Sequence, residues 1–214
     1  DGGDHRVQGG AAAREDGHAG VQRRAQVTVH FLHALPRNAR GRECARAAVQ
    51  QVGVTVAYDP GYTKIDYPNG DVPRSRGVCT DVVIRAFRAV GIDLQQKVHE
   101  DMSRNFAAYP HKWGLAKPDS NIDHRRVPNL QRWFERQHRA LPVTTKAADY
   151  RAGDVVSWKL PNGLDHVGVV SARRGNDGRP LVVHNIGLGA QEEDVLFAWT
   201  LTGHYRWFAA GSAR

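Results

Sequence analysis

Cys79 is the residue with the clearest chemical potential, because it stands at the predicted start of a helix. Apolar residues recur at helical spacing on one face of residues 80–90, and Gly91 marks the end of that helix. A thiol at a helix N terminus meets the positive end of the helix dipole and free backbone N–H groups, which stabilise a thiolate. The position suits a nucleophile, although a small buried side chain is the alternative interpretation of a free cysteine.

Two histidines supply the further groups that a cysteine nucleophile requires. Such a nucleophile needs a base within hydrogen-bond reach, and the base needs a third group to orient it. Of the 11 histidines, His166 and His184 lie on neighbouring predicted strands, and Gly168 leaves space beside the first imidazole. In a suitable register both imidazoles point to the same side of the sheet, against which the helix with Cys79 would pack. We therefore predict Cys79 as nucleophile, His166 as base and His184 as its orienting partner.

The elements that must position these side chains follow from the periodicity of the sequence. Helical spacing predicts helices over residues 43–52, 80–90 and 128–138. Alternating apolar residues between turn signals predict strands over residues 154–158, 165–171, 181–185 and 199–208. Residues 99–130 are polar and are expected to be irregular. Helices first and antiparallel strands later predict an α+β fold.

Composition and charge narrow the class of protein. The 214 residues, 41% of them hydrophobic and 24% charged, suit one globular domain with a tail. Residues 1–40 are rich in Gly, Ala, Arg and His and are predicted to be a poorly ordered basic tail or a linker, with the domain over residues 41–214. No run of about 18 apolar residues predicts a membrane span. The net charge of +8 suits an anionic partner: nucleic acid, a membrane face or a cell wall.

The first residue is Asp1 and the only methionine is Met102. We therefore expect a mature product, a trimmed chain or a piece of something longer, and a removed signal peptide stays open.

Several polar side chains are candidates for contact with a substrate. They are Tyr67, Asp81, Asp123, His124, Arg125 and Asn185. Asp81 either caps the helix or binds a substrate amine. The run from Asp123 to Arg126 either lies at the rim of a cleft or forms an internal network. The turn segment with Tyr58, Tyr62 and Tyr67 either walls the cleft or only packs the loop, and Asn185 is the reserve candidate for the orienting group.

Three other functions compete with cysteine chemistry. Asp123, His124, Asp165, His166, His184 and His204 offer ligands for a zinc site, although no short ligand spacing such as HExxH is present. A basic nucleic-acid-binding protein fits the charge but lacks a recognised module. A wall-binding module without catalysis is the third, and the intact Cys79, His166 and His184 set argues against it. A disulfide between Cys44 and Cys79 also stays open.

Residues 45–208 carry a resemblance to a known family. The stretches are Tyr58-Asp59-Pro60, Asp66-Tyr67-Pro68, Gly77-Val78-Cys79-Thr80-Asp81, residues 121–130, Asp165-His166-Val167-Gly168-Val169-Val170, Val183-His184-Asn185-Ile186-Gly187 and Gly203-His204-Tyr205-Arg206. The stretches around Cys79, His166 and His184 resemble the NlpC-type papain-like cysteine peptidases. All of the stretches except Asp165–Val170 resemble more closely the bacterial domain-of-unknown-function family number twelve-eighty-seven, which is placed in the same clan. NlpC-type enzymes usually show Asp-Cys-Ser-Gly at the nucleophile, whereas Val78 and Thr80-Asp81 flank this cysteine. The resemblance therefore covers only Cys79, His166 and His184 among the site residues.

The resemblance implies a papain-like fold and a peptidoglycan hydrolase that needs no cofactor. The enzyme would cleave an amide bond of the stem peptide, as amidase or endopeptidase, in the periplasm or outside the cell. A basic surface suits an anionic wall. If the chain ends a secreted effector, its role would be antibacterial, with an immunity protein as partner. The bond that is cut, and the choice between housekeeping enzyme and toxin, stay open.

Overall fold

Four α-helices lie in the part of the chain that the computed structural model describes, which is residues 36–208. They are α1 (Arg37–Val49), α2 (Cys79–Ala89), α3 (Leu94–Asn105) and α4 (Val127–Arg136). None of the helices in this range is long and apolar enough to cross a membrane. The predicted tail over residues 1–40 lies outside the described residues up to residue 35, and α1 begins six residues before the helix expected at residue 43.

Eight strands accompany these helices within the described range. They are β1 (Ala57–Tyr58), β2 (Arg76–Gly77), β3 (Ala140–Leu141), β4 (Val155–Lys159), β5 (Asp165–Arg174), β6 (Pro180–Asn185), β7 (Ala190–Glu193) and β8 (Thr200–Tyr205). The first two form a parallel pair, and the other six form an antiparallel sheet in the order β3-β8-β4-β5-β6-β7. Helices packed on an antiparallel sheet confirm the predicted α+β class.

Helix α2 forms where its sequence predicts it, within one residue. Asp81 stabilises the start of the helix, because its Oδ2 accepts a hydrogen bond from the Val78 N–H at 2.7 Å. Val82, Val83, Ala86 and Phe87 are fully buried against α1 and the sheet. The cap and the apolar face together hold Cys79 in the first turn of the helix.

Helix α3 lies in a segment whose end the sequence analysis assigned to irregular structure. Asp93 caps it by accepting a hydrogen bond from the Gln95 N–H at 3.2 Å. Leu94, Val98 and Met102, four residues apart, are its buried face. Polar and charged residues occupy the remaining positions. The apolar stripe is therefore only one residue wide, and the sequence pattern did not predict a helix here.

The sheet buries both of its faces, and the two faces have different neighbours. Val155, Val167, Val169 and Val183 pack in the same buried cluster as Cys79 and the helices. Val156, Trp158, Val170 and Val182 face the other way and pack with Tyr150 and Leu196. His166 stacks on Trp158 with ring centroids 5.7 Å apart, so the imidazole belongs to this second face. The expectation that α2 packs on the side to which the imidazoles point is therefore wrong, because the alternation of strand residues puts the helices against the opposite face.

Candidate functional site

The Cys79 thiol lies at the meeting point of α2 and β5. β5 pairs with β6 from Val169 onward, and the backbone N–H of Val167 lies beside the Cys79 sulfur, where it acts to lower the pKa of the thiol. The thiol therefore lies beside the peptide bond that joins His166 to Val167. Cys79 therefore lies beside the backbone of the residue predicted as its base, and the imidazole of that residue stacks on Trp158 at the other face of the sheet.

Burial controls the protonation of this thiol. Only 5% of Cys79 is exposed, and this burial raises the pKa of the thiol to about 12. The N–H groups of Val167, Thr80 and Cys79 itself act in the opposite direction, as expected for a helix N terminus. Desolvation is the larger effect, so the resting thiol is protonated. The stabilised thiolate expected from the helix position is replaced by a neutral thiol.

His166 and His184 are joined by a direct hydrogen bond, with 2.9 Å between Nε2 of the first and Nδ1 of the second. Burial lowers the pKa of His166 to about 3, with a smaller contribution from the charge of His184. Burial also lowers the pKa of His184, and Glu193 opposes that change. Both imidazoles are therefore neutral at neutral pH, which is the state in which a histidine can accept a proton.

Two tryptophans enclose this pair. Trp158 is fully buried and stacks on His166, and the Trp199 ring lies edge-on at 5.7 Å from the His166 ring and 5.8 Å from the His184 ring. Apolar rings against the imidazoles exclude water, which accounts for the low pKa values. The indoles also fix the planes of both rings.

Gly168 allows β5 and β6 to approach each other beside the imidazoles. A Cβ at this position would lie 2.8 Å from Val182 Cγ1, 2.9 Å from the Val183 carbonyl oxygen and 3.2 Å from His184 Cβ. The first two distances are below van der Waals contact. The absence of a side chain, noted in the sequence as space beside His166, is thus required for the position of His184.

We expect Gly168→Ala to lower the free energy of unfolding by about 1–3 kcal/mol, the usual cost of overpacking a dense interior. Chemical denaturation would measure the loss. Gly187→Ala is the matched control, because a Cβ there meets no atom within 4 Å and the position has no positive φ. Equal stability of the two variants would contradict this account of Gly168.

A cleft of about 310 Å³ opens beside His166. It is lined by Tyr58, Leu160, Pro161, Asn162, Leu164, Asp165, His166, Ile186 and Trp199. Burial, with a smaller contribution from charge on Cys79, raises the pKa of Tyr58 to about 12, so this phenol is protonated at neutral pH. The sequence analysis named Tyr58 only as part of a wall. Of the other tyrosines of that segment, Tyr62 donates to Asp119 at 3.0 Å and Tyr67 packs edge-on against His99. Neither lines this cleft.

Asp81 and Arg125 form a buried, bidentate ion pair. Asp81 Oδ1 and Oδ2 accept from Arg125 Nε at 2.9 Å and Nη2 at 3.0 Å, and both side chains are almost fully buried. Arg125 also donates to the carbonyls of Gly61 and Asp59. The ion pair therefore holds the turn segment that contains Asp59 and Gly61 against the first turn of α2, which carries Cys79. The substrate contacts predicted for Asp81 and Arg125 give way to this internal role.

Asp123 and His124 lie in the same interior. Asp123 is 1% exposed, accepts from the Asp119 N–H and pairs with Arg126 at 3.5 Å. His124 is 2% exposed, and burial lowers its pKa to about 3. Neither side chain lines the cleft, so the structure does not support the substrate contacts predicted for them. Asp123 belongs to an internal network, and His124 is a buried side chain beside it.

Asn185 is fully buried and connects the two halves of the site. Its Nδ2 donates to the Gly77 carbonyl at 2.9 Å, and its Oδ1 accepts from the Gly187 N–H at 3.2 Å. The end of β6 is thereby tied to the residues that directly precede Cys79. Asn185 thus holds the residues before Cys79 against the sheet and does not contact His166. This structural role replaces both its predicted contact with substrate and its reserve role as the orienting group.

The ligands considered for a metal are dispersed in the structure. Across residues 36–208, no three side chains of His, Cys, Asp or Glu are grouped to hold a metal ion. His204 pairs with Asp154 at 2.8 Å inside the protein, and Asp165 pairs with Lys159. Cys44 and Cys79 are both free and buried, so the disulfide left open in the sequence analysis is absent.

Comparisons with known proteins identify a family model and a relative that each match most of this chain. The family model described as "Domain of unknown function (DUF1287)" matches residues 45–207. The Escherichia coli (strain K12) protein described as "Uncharacterized protein YijF" is 62% identical over 164 residues, which are 77% of this chain and 80% of that protein.

Two solved structures from Trichomonas vaginalis are similar in part. The first, NlpC1, has a TM-score of 0.40 and 14% identity over 78% of this chain and 44% of its own. The second, NlpC2, has a TM-score of 0.39 and 12% identity over 79% of this chain and 48% of its own. The chain thus spans less than half the length of either structure.

Proposed function

Because this chain belongs to the DUF1287 family, we propose a function for it from the site itself: it is a papain-like cysteine hydrolase that cleaves an amide bond of peptidoglycan stem peptides. One observation carries the proposal. A thiol at a helix N terminus lies beside the backbone N–H of Val167, the residue that follows His166, and His166 is itself hydrogen-bonded to His184. A thiol, a neutral base and an orienting group are the components of nucleophilic acyl transfer.

The reaction begins with proton transfer, since both partners are neutral at rest. Because His166 uses Nε2 in its bond to His184, Nδ1 is the nitrogen to which this proposal assigns the thiol proton. The sulfur then attacks the amide carbonyl carbon and forms a C–S bond. The negative charge that develops on the carbonyl oxygen is stabilised by the Cys79 N–H and by the Tyr58 hydroxyl.

The second half of the reaction restores the enzyme. The C–N bond breaks as His166 returns its proton to the leaving amine, and an acyl thioester remains on Cys79. Water then attacks the thioester carbonyl while His166 accepts a proton from that water. The C–S bond breaks, the thiolate regains the proton from His166, and the carboxylic acid product leaves.

The surroundings of the site suit a peptide that belongs to an anionic polymer. The cleft is open and combines apolar walls with the amide of Asn162, which fits a short peptide. The net charge of +8 favours approach to an anionic wall. We place the enzyme in the periplasm or outside the cell, where that polymer lies.

Digestion of purified sacculi tests the proposal. We expect the wild-type protein to release soluble fragments, and mass spectrometry of these fragments identifies the cleaved bond. Release should stop after alkylation of Cys79 with iodoacetamide and continue in EDTA. Release that survives alkylation and stops in EDTA would establish metal chemistry instead. No release, combined with salt-dependent binding to DNA, would establish a binding protein.

A further inference from the structure

We propose that Glu193 is a positioning residue of this site, the carboxylate that fixes which nitrogen of each buried imidazole carries the proton. The inference rests on the proposed function, because it concerns the base of that reaction. It extends the pair of His166 and His184 to a chain of three side chains, which ends at the protein surface.

The geometry of β7 brings the carboxylate to the imidazole. Glu193 Oε2 lies 2.9 Å from His184 Nε2, and the Glu193 side chain is 48% exposed while that of His184 is 1% exposed. β7 pairs with β6 so that Gln191 is opposite His184 and Glu193 is opposite Val182. Gln191 and Glu193 share one face of the strand, and this face meets the imidazoles.

The adjacent glutamate points elsewhere, which makes the contact specific. Glu192 accepts from Ser171 Oγ and from Arg173 Nη1, the latter at 2.7 Å. The strand thus presents one carboxylate to the histidines and the next one to a surface arginine. Only the first can influence the site.

The proton positions follow from hydrogen-bond chemistry. A neutral imidazole carries one N–H, and a carboxylate only accepts. The contact with Glu193 therefore requires the proton of His184 on Nε2, which leaves its Nδ1 as an acceptor. That acceptor requires the proton of His166 on Nε2, which leaves Nδ1 of His166 unprotonated and able to take a proton from Cys79.

Without the carboxylate, the bond between the two histidines can be made in either direction. His184 Nδ1–H can donate to His166 Nε2, and the proton of His166 then occupies Nδ1. In that form His166 cannot accept a proton from the thiol. Glu193 removes this unproductive arrangement, although it touches neither the thiol nor the cleft.

The experiment compares Glu193→Ala and Glu193→Gln with Glu192→Gln as the matched control. ¹⁵N NMR of histidine-labelled protein reports which ring nitrogen of each histidine carries the proton. We expect Nε2–H forms for both histidines in the wild type and in Glu192→Gln, and a mixture in Glu193→Ala. Glu193→Gln, whose amide oxygen still accepts a hydrogen bond, should restore most of the wild-type pattern.

The rate of sacculus digestion is the second readout. We expect a loss of about 10- to 100-fold in Glu193→Ala, the range typical for removal of a group that orients a catalytic imidazole or ligand through another residue. Glu193→Gln should lie between this value and the wild type. Glu192→Gln should stay within about twofold of the wild type, because Glu192 contacts Ser171 and Arg173 and neither histidine.

Wild-type proton positions in Glu193→Ala would overturn the inference, and so would equal digestion rates in Glu193→Ala and Glu192→Gln. The NMR readout needs no substrate. A wild-type protein that leaves sacculi intact would thus refute the proposed hydrolase, while a change of proton position in Glu193→Ala would still support the role of Glu193.

Discussion

Replacement of Cys79 by alanine is expected to lower the digestion of sacculi by more than about 10⁴-fold, because removal of a catalytic nucleophile leaves only binding and oxyanion stabilisation. The side chain is small, and its replacement by alanine removes only the sulfur from the buried cluster, so the fold should persist. Fragment release measured by mass spectrometry gives the activity, and circular dichroism with thermal unfolding verifies the fold.

Cys44→Ala is the matched control for this prediction. Cys44 is a free cysteine, fully buried in the same cluster, and it lies on α1 away from the cleft. Loss of one buried sulfur should cost about 1 kcal/mol of stability and leave the rate nearly unchanged. Undiminished digestion by Cys79→Ala would refute the mechanism, and an equal loss in both variants would indicate damage to the core instead of the loss of a nucleophile.

Arg125→Ala is expected to lower the free energy of unfolding by about 3–5 kcal/mol, the cost of leaving a buried charge without its partner. Asp81 would keep its position in the first turn of α2 with only the Val78 N–H to serve its carboxylate. The carbonyls of Asp59 and Gly61 would also lose their donor. Urea or guanidinium denaturation of the purified variants measures this loss.

An exposed ion pair on α4 provides the comparison. Arg132 pairs with Glu135 at 3.0 Å, and both side chains remain nearly half exposed. Solvent screens such a pair, so Arg132→Ala should change stability by about 0–1 kcal/mol. Similar losses in the two arginine variants would show that the Arg125 pair contributes no more than a surface contact.

Periodicity in the sequence was sufficient to predict the helix that carries Cys79 and the strands that carry His166 and His184. Helix α2 is strongly amphipathic and is followed by Gly91, and β4, β5 and β6 are rich in valine between turn signals. Both histidines fall at even positions on the same face as Val170 and Val182. An antiparallel pairing of β5 and β6 then places the imidazoles together, which is why their proximity could be expected from the sequence.

Other parts of the site leave little trace in the sequence. β7 consists of Ala-Gln-Glu-Glu, which has no β-branched or aromatic residue, and it is a strand because β6 offers an edge to pair with. Glu193 was missed for this reason. The pairing of Asp81 with Arg125 joins residues 44 positions apart, and no local pattern distinguishes these charges from solvated ones. The face on which α2 packs is likewise decided by tertiary contacts.

The order of these parts along the chain affects how the domain is made during translation. Cys79 is synthesised before β4, β5, β6 and β7, and the Asn185 bond to Gly77 closes the nucleophile loop only when β6 has arrived. A nascent chain that has not yet left the ribosome as far as β7 holds a thiol without its base. The proposed hydrolytic activity would therefore arise late, when the final strands join the sheet, and incomplete translation products would carry an inert cysteine.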